Sequence, residues 1–195
     1  MKRLLPIGVF TLFLSACSQA DDGNMIQSKE LTDEEQYYLG FGLDQAGILD
    51  VESFDDEFDT FSFVVNFYEK GEKIEEKSGP NGLQEGDFAE TDDIVYGLRS
   101  DDEDQIDFFT GTTSEPEQAD TINSQTMTVP IELPFSFDQK ASTQVQQIKP
   151  KSNEMSPLIL MHSGNSLSSH WFEKEELSKI IEQENRVVVI GLRFD

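Results

Sequence analysis

The sequence predicts a mainly β protein, an antiparallel β-sandwich of about seven to nine strands with one short helix near the C-terminus. Three observations predict it. Apolar and polar residues alternate with period two over Thr60–Tyr68 and Thr126–Phe137, the spacing that sends successive side chains to opposite faces of a strand. Shorter apolar runs are separated by clusters of Gly, Pro, Asn and Asp, such as Ser78-Gly79-Pro80-Asn81-Gly82. One segment, Glu173–Glu184, carries a helical period, with Leu177, Ile180 and Ile181 on one stripe. The 195 residues suffice for one domain of ordinary size, and the 15 Phe are a large share of its core material.

Taken in chain order, the amino terminus comes first. Lys2 and Arg3 precede an uncharged, mostly apolar stretch from Leu4 to Leu14, followed by Leu14-Ser15-Ala16-Cys17. A stretch of that length is too short for a bilayer-spanning helix, which needs about 20 residues. It fits the apolar region of a secretory signal. Leu-Ser-Ala-Cys resembles the lipobox of bacterial lipoproteins, and the resemblance covers residues 1–17. It implies export, cleavage before Cys17, transfer of a lipid to the Cys17 thiol, and anchoring to the extracytoplasmic face of a bacterial membrane. The expected division is a signal peptide at 1–16, the lipidated Cys17 with a flexible polar tether over 17–35, and an acidic β-sandwich domain over 36–195.

Within the domain, Phe61, Phe63, Val65 and Phe67 fall on one face of the first long strand. Glu69-Lys70-Gly71-Glu72 reads as the turn of a hairpin into a polar strand around Lys73–Lys77. In Thr126–Phe137, Met127, Val129, Ile131, Leu133, Phe135 and Phe137 alternate with Thr128, Pro130, Glu132, Pro134 and Ser136. Two prolines remove two ladder donors, which places this strand at a sheet edge. Shorter strands are expected at Tyr37–Leu43, Ile94–Arg99, Ile106–Thr110, Leu158–His162 and Arg186–Phe194. Asn185 is expected to end the helix in a left-handed conformation.

Composition narrows the chemistry. Thirty-nine acidic against 14 basic residues give a formal charge of −25, which excludes a sequence-independent grip on nucleic acid. One Cys excludes an internal disulfide, and one Cys with two His excludes a conventional zinc site. Calcium takes six to eight oxygens, so the acidic loops supply its candidates: Asp55, Asp56 and Asp59, then Asp101, Asp102 and Asp104. Neither run has EF-hand spacing, and contiguous acids point in divergent directions. Neither run is therefore assigned as a metal site, and a solvated surface is the competing role.

Residues 157–195 resemble the opening of an α/β-hydrolase, with a strand ending in His162, a helix, and a second strand ending near Arg193. The pattern departs from that family at Ser163, Gly191 and Phe194, and no Gly-x-Ser-x-Gly elbow accompanies it, so no catalytic residue is assigned. His162 and His170 are expected to be strand-end or loop residues. Trp171 and Phe172 are expected to seat the helix, with sugar stacking as the alternative. The leading expectation is a membrane-anchored, non-enzymatic envelope module that binds a protein or glycan partner and needs no cofactor. A small extracytoplasmic enzyme of hydrolase type and a structural or immunity-type lipoprotein are the alternatives.

Overall fold

The turn at Lys70-Gly71 illustrates how local chemistry sets the architecture. Both residues adopt positive φ, 53° and 87°, as a two-residue type I′ loop requires. That loop joins strand β3 (Thr60–Glu69) to β4 (Glu72–Ser78), with Glu69 opposite Glu72. The computed structural model describes residues 25–33, 42–51, 58–78, 85–87, 91–100, 104–114, 123–137, 141–164 and 171–195. The remaining strands are β1 (Ile26–Ser28), β2 (Gln45–Asp50), β5 (Glu85–Asp87), β6 (Asp93–Arg99), β7 (Gln105–Ser114), β8 (Asn123–Glu132), β9 (Ala141–Gln144), β10 (Gln147–Ile148), β11 (Met155–His162) and β12 (Arg186–Phe194). One helix, α1 (Lys174–Gln183), connects β11 to β12.

The strands form two antiparallel sheets, β10-β1-β2-β6-β7-β8 and β4-β3-β12-β11-β9, with β5 pairing the first residues of β3. The expected β-sandwich with a short helix near the C-terminus is present among the described residues. Its twelve strands among the described residues exceed the seven to nine expected, the surplus coming from β1, β5 and β10, which have three residues or fewer. β8 stands at the edge of its sheet, where its proline was expected to put it. It ends at Glu132 rather than Phe137, yet Leu133, Phe135 and Phe137 stay buried as the chain leaves the sheet. The Leu133 amide then donates to the Asp104 carbonyl at 2.8 Å.

Other expectations need correcting. Ile26–Ser28 is not tether: it pairs with both β2 and β10, and Ile26 is fully buried. The expected tether at 17–35 therefore hands over to the domain by residue 26. Asn185 does not end the helix with a left-handed residue. The chain turns extended at Glu184, whose amide still donates to the Ile180 carbonyl at 2.9 Å. The expected strand at Tyr37–Leu43 lies outside the described residues except for Gly42 and Leu43, which are not strand. Among the described residues no helix is long and apolar enough to cross a membrane.

The core lies between the sheets. Phe63 of β3 meets Phe108 of β7 edge-on, at 5.1 Å between centroids and 70° between planes. Each such buried ring contributes about 1.5–3 kcal/mol by burial. The second sheet is also covered on its outside. Leu177, Ile180 and Ile181 of α1 pack against the core, so β11 and β12 are buried on both faces. Two-sided burial is why Val187-Val188-Val189-Ile190 is a continuous apolar run and not an alternation. Gly191 interrupts that run because a Cβ there would stand 2.4 Å from the Ser156 carbonyl, beside the register shift between Pro157 and Ile159.

Candidate binding clefts

The stretch 141–148 builds the most distinctive surface of the molecule. β9 belongs to one sheet and β10 to the other, and Val145-Gln146 carries the chain across. The Val145 amide donates to the Leu158 carbonyl of the second sheet at 2.9 Å, and the Gln146 carbonyl accepts from the Ser28 amide of the first at 2.7 Å. Gln45 of β2 ties the same side shut, its Nε2 donating to Ser142 Oγ at 3.2 Å. A strand that changes sheets leaves an open corner on either side of it.

On one side is a cleft of about 730 Å³, walled by residues 27–31, 43–47 and 144–147. Five carboxamides line it: Gln27, Gln45, Gln144, Gln146 and Gln147. Two of its charged residues are engaged elsewhere. Lys29 pairs with Asp93 at 2.6 Å, and Asp44 Oδ2 accepts from the Ser100 amide at 2.9 Å. Gly47, one of the lining residues, admits the ring of Tyr96 from the core side; a Cβ on Gly47 would lie 2.5 Å from the Tyr96 hydroxyl. Tyr96 is 1% exposed, and burial pushes its phenol up, so it stays neutral. In the cleft wall itself, Gln144 Oε1 is buried without a hydrogen-bond partner among the described residues. A buried polar atom without a partner in a wall of carboxamides forms a site suited to hydrogen-bonding, uncharged ligands.

Across Gln147 lies a second cleft of about 540 Å³, between the first turn of α1 and the edge of β10 and β11. Its walls are apolar, from Met25, Ile148, Met155, Pro157, Phe172 and Leu177. Phe172 meets Trp171 edge-on at 6.4 Å, and Trp171 is buried, so this pair seats the helix as the sequence suggested.

The hydrolase-like segment is not arranged as the opening of that family is. β11 and β12 are antiparallel neighbours, whereas the strand–helix–strand unit of a hydrolase opening is parallel. His162, Ser163 and Glu184 do come together at the end of α1, but Ser163 Oγ donates to Glu184 Oε2 at 3.1 Å and not to the imidazole. His162 Nδ1 accepts from the Gly164 amide at 3.0 Å and lies 3.8 Å from Glu184 Oε1. Gly164 permits this, since a Cβ there would sit 2.3 Å from Glu184 Oε1. The serine proton is thus aimed at the Glu184 carboxylate and not at the imidazole, and the three side chains tie the end of β11 to the end of the helix.

Burial holds the His162 imidazole below its usual range, against the opposing pull of Glu184. His162 is then neutral in the fold, while the unfolded chain takes up a proton near pH 6.5. The stability it contributes is present above that value and falls with pH below it, because the unfolded state binds more protons there. His162→Asn keeps an acceptor for Gly164, its Oδ1 standing where Nδ1 was, and removes the titration. Melts between about pH 7 and 5.5 should therefore fall less steeply in this variant than in the parent chain. Parallel slopes would contradict a neutral buried imidazole.

Of the calcium candidates, Asp59 and Asp104 are described. The Asp59 amide donates to the Asp195 carbonyl at 2.8 Å, and Asp104 Oδ1 accepts from Ser136 Oγ, so both residues help close chain ends and turns. Asp55, Asp56, Asp101, Asp102, Cys17 and His170 lie outside the described residues. Among those described, no three His, Cys, Asp or Glu side chains are grouped to hold a metal ion. Sequence reasoning missed both clefts. Compared with protein-family models, curated proteins and solved structures, the chain matches none.

Proposed function

We infer that the chain is an exported lipoprotein, anchored through Cys17, whose β-sandwich is a non-enzymatic binding module. Its site is the carboxamide-lined cleft, and its ligand class is a neutral, hydroxyl- or amide-rich chain such as a glycan. One observation carries this reading: the buried Gln144 Oε1, without a partner among the described residues, belongs to the wall of a cleft rich in groups that donate and accept at once. Leaving such an atom unpaired is unfavourable by about 1–3 kcal/mol, a penalty that a ligand hydroxyl would relieve. Carboxamides also suit an uncharged ligand on a −25 protein, since they need no counter-charge.

The test is an array of neutral oligosaccharides probed with the purified chain, followed by calorimetric titration of the strongest. Gln144→Leu should weaken binding about tenfold, the worth of one well-made hydrogen bond to a buried acceptor. The melting temperature should hold or rise, because an unpaired buried carbonyl oxygen has been removed. No retention on the array, or equal binding by Gln144→Leu, would overturn the assignment.

A further inference from the structure

The second cleft is lysine-rimmed on a strongly acidic chain. Lys149, Lys151 and Lys174 rim it against Glu154 and Glu173, so its lining carries a small positive balance on a chain of −25. Lys151 pairs with Glu154 only at 3.8 Å. Its walls, from Ile148 and Met155 on the sheet side to Phe172 and Leu177 on the helix side, are apolar. An apolar slot of about 540 Å³ with cations at its mouth is complementary to one chemistry, an acyl chain ending in an anionic head.

Position supplies the source. Met25 forms part of the cleft and is only eight residues after Cys17. Eight residues reach at most about 29 Å when fully extended. A chain anchored at Cys17 therefore holds this cleft within reach of the bilayer surface. A net charge of −25 opposes approach to an anionic leaflet, and the lysines at this cleft offset that opposition locally. We propose that the cleft takes up an acyl chain of an anionic phospholipid from the membrane that carries the protein, and so turns the carboxamide-lined cleft on the other side of Gln147 to a fixed orientation. The proposal rests on the lipid-anchor reading above.

Trp171 is the single Trp of the chain and contacts Phe172 of the cleft, so Trp emission comes from one position beside it. The full-length lipidated protein is reconstituted into phosphatidylcholine vesicles containing a minor share of either brominated phosphatidylglycerol or brominated phosphatidylcholine. Bromine quenches only at short range. Brominated phosphatidylglycerol should at least halve Trp171 emission, with much weaker quenching by brominated phosphatidylcholine. Leu177→Glu should remove the quenching while the protein still floats with the vesicles and keeps its circular dichroism. Lys149→Glu with Lys174→Glu should erase the preference between the two lipids. Flotation without quenching would overturn the cleft proposal and leave the anchor standing, its occupant then being another protein or the chain's own acyl group. Equal quenching by both lipids would overturn the anionic specificity. Failure to float would overturn the anchor itself.

Discussion

Ile131→Asp is expected to leave the protein unfolded at room temperature. Ile131 is 2% exposed, pairs with the fully buried Ile106 across β7 and β8, and faces the space between the sheets. A carboxylate there must either stay charged in an apolar interior or take up a proton. Buried acids raise their pKa by up to 3–5 units, and at pH 7 the penalty levels off at about 4 kcal/mol, the cost of protonating an Asp whose ordinary pKa is about 3.9. The lost burial of the isoleucine adds about 2–3 kcal/mol. Together these match the whole stability of an ordinary domain, about 5–15 kcal/mol. Thr128→Asp is the control, three residues earlier on the exposed, outward side of the same edge strand, where a charge should shift stability by no more than about 0.5 kcal/mol. Far-UV circular dichroism and thermal melts of the two variants decide the matter. A cooperative melt for Ile131→Asp within a few degrees of the parent would show that the inward face has been misassigned.

That experiment probes what was legible in the sequence. β3, β6, β7, β11, β12 and α1 announce themselves because their own side chains carry a period or an apolar run. The edge position of β8 was legible because proline removes a donor that a central strand needs. β9 (Ala-Ser-Thr-Gln) and the two-residue β10 carry no such signal, because they exist through the partners they meet and not through their own apolar pattern. β2 was hidden for a different reason. Gly47 sits in its middle and reads as a breaker, while its actual role is to admit the ring of Tyr96 from the neighbouring strand β6.

The clefts were illegible on the same grounds. The five glutamines of the polar cleft come from β1, β2 and the 144–147 crossing, and converge only because the chain changes sheets there. Likewise Glu184 meets His162 and Ser163 only because α1 returns the chain to the end of β11. The sequence assigned no catalytic role to His162 or Ser163, and it could not show that Glu184 joins them; a Ser-His-Glu set is a triad only when the serine proton is aimed at the imidazole, and here it is aimed at the carboxylate.

Cys17→Ala is expected to move the protein out of the membrane pellet, or to leave an unprocessed precursor still carrying residues 1–16. The thiolate is the group that would take the lipid, and alanine offers no nucleophile in its place. Two or more acyl chains make anchoring effectively stable, because each buried methylene adds about 0.8 kcal/mol. Without them the protein would keep only what the lysine-rimmed cleft supplies. A single chain in a slot is a marginal, reversible hold, on the order of 10⁴ M⁻¹ for one myristoyl group. The residual association should therefore wash off, and raised salt should weaken it further by screening Lys149 and Lys174. Fractionation with mass spectrometry of the amino-terminal peptide separates the cases. Intact retention of a Cys17→Ala chain cut after residue 16 would mean that something other than a lipid on Cys17 holds the protein at the membrane. Retention that yields to salt, in a chain that has lost the thiol, would instead be the signature expected of the cleft acting alone.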